Sequence, residues 1–148
     1  MKRIASPLFH SLLLACLTAL AVPAAVLAQL PQQPEHWDAL MAAATKAYEA
    51  RQFPDAERLY TDALKEAESF GESDVRLASN LNNLGELDRQ TGKYPAAESL
   101  YKRSLAIWES ARGPEDPGVA SVANNLGELY RQMSRYADAE TQYKRALA

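Results

Sequence analysis

From Glu35 onward apolar residues recur at steps of three and four, the spacing that places side chains on one face of a helix. Leu40, Ala43, Ala44, Ala47 and Ala50 predict a first helix from Glu35 to about Gln52. Pro54 opens a second, with Ala56, Leu59, Tyr60, Ala63, Leu64 and Ala67 as its stripe and Asp55 and Glu57 at the positive end of its dipole. Gly71 is the expected left-handed stop. Asp74 is expected to cap a third helix, buried through Leu77, Leu81, Leu84 and Leu87 and ending near Thr91 and Gly92. Pro95 begins a fourth with Leu100, Tyr101, Leu105, Ile107 and Trp108 on its apolar side, closed by Gly113 and Pro114. Asp116 as cap and Pro117 at the first helical position start a fifth, reaching about Ser134, and a sixth is predicted from near Ala137 to Ala148.

The pattern is also periodic on a longer scale. Asn82 to Leu87 and Asn124 to Leu129 are the same six residues, Asn-Asn-Leu-Gly-Glu-Leu, at an offset of 42. The same offset relates Gly71 to Gly113, Asp74 to Asp116, Tyr94 to Tyr136, Ala97 to Ala139, Glu98 to Glu140 and Tyr101 to Tyr143. A diverged copy lies upstream at an offset of 41, where Phe53, Ala56, Glu57, Tyr60 and Leu64 match Tyr94, Ala97, Glu98, Tyr101 and Leu105. A fixed period of this size is the mark of a stacked repeat, in which each hairpin buries its apolar face only against its neighbours. Gly85 and Gly127 strengthen that reading. A glycine inside a helix costs about 1 kcal/mol relative to alanine, so its return at one place in two copies predicts a close approach of another helix.

These residues resemble the tetratricopeptide repeat. Leu84-Gly85, Ala97 and Tyr101 follow its pattern, and Leu126-Gly127, Tyr130, Ala139 and Tyr143 follow it more fully. The Leu-Asn-Asn-Leu-Gly core, the Gly-Lys-Tyr-Pro-Ala-Ala-Glu turn at 92–98 and the Gly-Pro-Glu-Asp-Pro linker at 113–117 are similar to the 42-residue subtype of kinesin light chains and many bacterial proteins. In the first copy Ala43-Ala44 replaces Leu-Gly. The resemblance implies an all-α fold, a right-handed superhelical solenoid of antiparallel hairpins, with repeats at about 35–71, 72–113 and 114–148, the last incomplete.

It also implies a function. First helices of such repeats line a concave groove that holds a peptide or a partner's surface. Carried over position by position, the groove residues are Ser79, Asn82, Glu86, Arg89 and Gln90, then Ser121, Asn124, Glu128, Arg131 and Gln132. The first copy supplies Asp38, Met41, Thr45, Tyr48 and Glu49. Asn82 and Asn124 offer both a donor and an acceptor to an extended backbone. Asn83 and Asn125 are expected instead to cap or bridge helices. Glu86 with Arg89, and Glu128 with Arg131, read as intrahelical ion pairs at i, i+3 worth a few tenths of a kcal/mol, while Tyr60, Tyr101 and Tyr143 read as core. The relatives that clasp a terminal carboxylate use basic residues where this chain has Met41, Asn124 and Glu128, which disfavours an acidic ligand. An alternative reading is a structural, self-associating solenoid, or a piece of a longer array, using an open C-terminal edge formed by Ala139, Tyr143, Ala146 and Leu147.

The first 34 residues depart from this pattern. Lys2 and Arg3, an apolar stretch from Leu8 to Val22, Pro23, and the small residues ending Val26-Leu27-Ala28 read as a secretory signal peptide over 1–28. Residues 29–34 read as an extended leader ahead of a repeat domain over 35–148. The expected location is outside the cytoplasm, most simply a bacterial periplasm. Two alternatives stay open, an uncleaved membrane anchor and lipidation at Cys16 after Leu13-Leu14-Ala15, and a membrane enters this reading only through one of them. Cleavage after Ala28 removes Lys2 and Arg3 and takes the net charge from −3 to −5. A chain this acidic lacks the basic face that nucleic acid demands. Cys16 is the only cysteine and His36 the only histidine beyond residue 28. No glycine-rich phosphate loop, metal cluster or nucleophile with its base occurs, so the sequence predicts no cofactor, no metal and no enzyme.

Overall fold

Six helices account for almost the whole of residues 34–147, which the computed structural model describes. They are α1 (Pro34–Glu49), α2 (Phe53–Ser69), α3 (Val75–Gln90), α4 (Tyr94–Arg112), α5 (Pro117–Gln132) and α6 (Tyr136–Ala146). The signal-peptide, anchor and Cys16 readings lie outside the described residues. None of the described helices is long and apolar enough to cross a membrane.

Local chemistry sets the boundaries. Asp74 and Asp116 cap α3 and α5 by accepting from the backbone N–H of Arg76 at 2.8 Å and of Gly118 at 2.7 Å. At the other end, α1, α3 and α5 all close with one turn. Gln52 N–H donates to Ala47 at 2.9 Å, Lys93 to Asp88 at 2.8 Å and Arg135 to Tyr130 at 2.8 Å. This six-to-one bond needs left-handed backbone one residue earlier. Gly92 supplies it in the second hairpin (φ 78°), Arg51 in the first (φ 58°) and Ser134 in the third (φ 59°). That corrects two sequence-based boundaries. The first helix ends at Glu49 and the fifth at Gln132, because the side chains of Arg51 and Ser134 gave no hint that their backbones turn left-handed.

Each helix packs on the next, and α3 also touches α5. The chain is thus an all-α solenoid of antiparallel hairpins, α1–α2, α3–α4 and α5–α6, with no strand among the described residues. Its core is divided along the stack. Ala44, Ala47, Ala56, Tyr60, Leu84 and Leu87 form one patch, and Trp37, Ala63, Ala67, Leu77, Ala78, Leu81 and Ile107 a second. A third joins α4, α5 and α6 through Tyr101, Leu105, Val122, Leu126, Leu129 and Ala139. Each fully buried leucine among them contributes about 1.5–3 kcal/mol by leaving water. Ala139, expected at an uncovered edge, is buried in this third patch because α6 packs along α5. Tyr143 and Ala146 are half-buried, and Leu147 is 88% exposed.

A polar seam ties successive hairpins together on the side of the second helices. Lys93 Nζ reaches back to Glu57 at 2.6 Å, and Arg135, its counterpart one repeat later, reaches Glu98 at 3.0 Å. The Arg135 guanidinium also lies over the Tyr130 ring at 4.2 Å, and the Tyr130 hydroxyl donates to Glu98 at 3.0 Å. These pairs fix the offset between hairpins at both junctions.

Candidate functional site

One residue pair recurs under the face of the first helices, at a separation of fifteen. Tyr101 on α4 donates its hydroxyl to Glu86 on α3 at 2.9 Å, and Tyr143 on α6 donates to Glu128 on α5 at 2.6 Å. In the first hairpin Tyr60 on α2 shares a hydrogen bond with Thr45 on α1 at 3.2 Å. The glycines find their reason here. A Cβ on Gly85 would stand 3.0 Å from the Tyr101 ring, and one on Gly127 would stand 2.6 Å from the Tyr143 ring. The close approach foreseen from the glycines is therefore made by a tyrosine ring of the same hairpin. Tyr60 and Tyr101 are core, as the sequence predicts, whereas Tyr143 is only half-buried because no further hairpin packs over it among the described residues. The hydroxyls of Tyr101 and Tyr143 also hold the carboxylates of Glu86 and Glu128. The Glu-to-Tyr spacing of fifteen was visible in the sequence and is the signal that would have found this.

Glu86 is the most connected residue of the face. It accepts from Tyr101, from the Arg89 guanidinium at 2.9 and 2.5 Å, from Gln90 at 3.1 Å and from the Tyr48 hydroxyl of the preceding hairpin at 2.9 Å. Burial pushes its carboxyl up, but the hydrogen bonds from Arg89, Gln90 and Tyr101 and the Arg89 charge outweigh it and hold the carboxyl below its ordinary value. Burial and the bond to Glu86 push the Tyr48 phenol up to about 12. The Arg89–Glu86 pair is sheltered, with side chains 11% and 23% exposed, whereas Arg131–Glu128 is open at 55% and 37%. Equal motifs thus carry unequal pairs, since only the first has a hairpin packed over each side.

The remaining sequence-predicted residues divide into bound and open. Met41 accepts from Asn80 Nδ2 through its sulfur at 3.0 Å. The Ser79 hydroxyl is spent on the Val75 carbonyl at 2.9 Å. Asn82 Oδ1 receives the Asn125 amide at 3.0 Å, a bridge between α3 and α5. Asp38, Glu49, Gln90, Ser121, Asn124, Arg131 and Gln132 are exposed.

Three clefts follow this face. The middle one, about 200 Å³, is lined by Thr45, Tyr48, Glu49, Tyr60, Asn83 and Glu86. A second, about 160 Å³, adjoins it through Tyr48 and Glu49 and ends at Arg51, Phe53 and Gln90. The third, about 290 Å³, adjoins it through Asn83 and extends over Ser79, Asn82, Trp108 and Ser121. From Ser79 to Gln90 this line follows the last three turns of α3, about 16 Å at 1.5 Å per residue. Asn83 and Trp108, which the sequence does not place in the groove, line these clefts, while Asn124, Glu128, Arg131 and Gln132 do not. A larger recess of about 420 Å³ lies apart, against α4 at Arg103, Ala106 and Ile107. Among the described residues no group of three His, Cys, Asp or Glu side chains is placed to hold a metal.

Hairpins stacked in sequence, a tyrosine ring under Gly85 and under Gly127, and a polar first-helix face define a helical-repeat interaction scaffold. The tetratricopeptide repeat family model matches residues 38–109 and again 76–148, and the chain belongs to that family. No curated protein matches it. The crystal structure of BtubC (BKLC) from P. vanneervenii is similar, with a TM-score of 0.71 at 30% identity over 75% of this chain. The match covers 44% of that protein, so this chain spans less than half of its length.

Proposed function

We propose that this chain is a non-catalytic module that receives an extended peptide, or a partner's extended segment, along α3 between the first helices. The observation that carries this reading is the continuity of the three clefts, which share Tyr48, Glu49 and Asn83. A line of about 16 Å accommodates roughly five extended residues. Tetratricopeptide repeats mediate protein–protein contacts in general, and the polar lining suits backbone recognition.

The test is site-specific photo-cross-linking in the organism that makes the protein. A benzophenone side chain placed at Gln90 or Asn83 is expected to give adducts with another protein, and one at Ala106 is not. Adducts from Ala106 alone would move the working surface to the recess on α4. Adducts only with a second copy of the chain would favour a self-associating solenoid. The same reading includes export, supported by Lys2, Arg3 and the apolar run to Ala28. The intact mass of the cellular protein is expected to begin at Gln29, and a mass starting at Met1 or carrying lipid at Cys16 overturns that part.

A further inference from the structure

We infer that the middle cleft, between the first and second hairpins, is a binding site for a basic side chain, arginine or lysine, of the bound segment. The inference rests on the proposed peptide groove and adds to it the chemistry of one position.

The chain carries its own comparison. Positions 45, 48 and 49 of the first hairpin correspond to 86, 89 and 90 of the second. At the second position Arg89 folds onto Glu86 beside the Tyr101 hydroxyl, and its side chain is only 11% exposed. The guanidinium there is internal. In the first hairpin the carboxylate has become Thr45 and the arginine has become Tyr48, which turns to the next hairpin and donates to Glu86. No cation takes the place of Arg89, and a cleft of about 200 Å³ stands open at that spot.

What lines the opening is suited to a cation. Two carboxylates face it, Glu49 and Glu86, and none of its lining residues is basic. Glu86 is already satisfied by Tyr48, Arg89, Gln90 and Tyr101. Glu49 is exposed and forms no ion pair among the described residues, although Lys46 and Arg51 stand three and two residues away on the same turn. Tyr48 and Tyr60 supply aromatic walls, the surface on which a guanidinium or ammonium gains cation–π attraction. An anionic side chain in the middle cleft would meet Glu49 and Glu86, and Arg51, the cation nearest to Glu49 in the line of clefts, lies in the adjoining cleft.

The experiment is an amide NMR titration of the full chain with three blocked pentapeptides, Ala-Ala-X-Ala-Ala, in which X is arginine, citrulline or glutamate. The arginine peptide is expected to shift amides at 45–49 and 83–86 saturably, at least about fivefold more tightly than citrulline, the scale of an exposed ion pair with a cation–π contact. Glutamate is expected to give no saturable shift. Glu49→Gln is expected to weaken arginine binding about fivefold. Thr45→Glu with Tyr48→Arg installs the second hairpin's internal pair and is expected to abolish it. If that double variant does not fold, Glu49→Gln decides. Equal binding of arginine and citrulline, shifts centred elsewhere, or no effect of Glu49→Gln overturns the inference. Cross-links at Gln90 or Asn83 combined with a silent arginine titration leave the groove standing and remove only its basic specificity. Cross-links confined to Ala106 remove the groove itself.

Discussion

The first and second hairpins solve one packing problem with different residues. Both press a tyrosine of the second helix against the middle of the first, at Ala44 and Tyr60 or at Gly85 and Tyr101. In the second hairpin the hydroxyl meets a glutamate that also holds Arg89, so the polar interior is closed upon itself. In the first the hydroxyl meets a threonine, and the charge that balances the face is displaced outward to Glu49. The lesson is that a repeat's packing and the shape of its exposed face draw on the same few positions. Where a hairpin satisfies its own polar groups the face is closed, and where it leaves them to a neighbour a cleft remains.

The strongest way to break this comparison is to remove the ring. Tyr101 is fully buried, and Tyr101→Ala is expected to cost about 3–5 kcal/mol, the range for deleting a large core aromatic. Tyr143, half-buried, should cost clearly less on the same change. Urea unfolding of both variants measures this, and equal losses would mean that the two tyrosines do not differ in role as their burial implies.

Next in size is the contact beneath the ring. Gly85→Ala gains about 1 kcal/mol in helix propensity but drives a methyl to 3.0 Å from a ring with nowhere to move, for which about 1–3 kcal/mol of overpacking is expected. Net destabilisation sharpens the comparison, because Ala44 is already tolerated opposite Tyr60. A stabilised Gly85→Ala protein, seen as a raised unfolding midpoint, would show that Tyr101 yields as easily as Tyr60 has.

A third probe uses acid. The Glu86 carboxyl is held below its ordinary value in the fold, so it contributes stability that is present above its unfolded value, near 4.5, and is lost as pH falls through the lower folded value. Glu128, held down by Tyr143 and Arg131, acts in the same direction from a more open position. Asp88 runs the other way, since burial raises it in spite of Lys93. Glu86→Gln is therefore expected to lower stability at pH 7 by about 1–2 kcal/mol, as for a lost charge-assisted hydrogen bond, and by less near pH 3. Unfolding midpoints at the two pH values check it. A loss independent of pH would point to packing rather than charge.

These differences were only partly legible in the sequence. The hairpins, the caps at Asp74 and Asp116 and the family were, because apolar periodicity and short polar motifs act locally. The face of the first helices was legible as a list of positions. What joins across hairpins was not. That Asn125 bridges helices was legible, but not that its partner is Asn82, and nothing in the motif says that Tyr48 serves the next hairpin's Glu86, since identical Asn-Asn-Leu-Gly-Glu-Leu segments stand in different surroundings. The same limit explains why Glu86 and Glu128, alike in sequence, differ in shelter.

The smallest prediction concerns the turn that ends each first helix, where the three hairpins use Arg51, Gly92 and Ser134 at one left-handed position. A side chain in that conformation costs about 1–2 kcal/mol through the clash of Cβ with the carbonyl, while glycine forfeits about 0.5–1 kcal/mol of chain entropy. The balance favours glycine by about 0.5–1 kcal/mol. Ser134→Gly is accordingly expected to raise stability by that amount, because the Ser134 side chain is exposed and makes no hydrogen bond among the described residues. Arg51→Gly should gain similarly, and Gly92→Ala should lose. All three read out as shifts of a few degrees in thermal midpoint. If Arg51→Gly destabilises where Ser134→Gly does not, Arg51 contributes something beyond its backbone, and its place at the end of the cleft with Glu49 and Gln90 is where that contribution would be found.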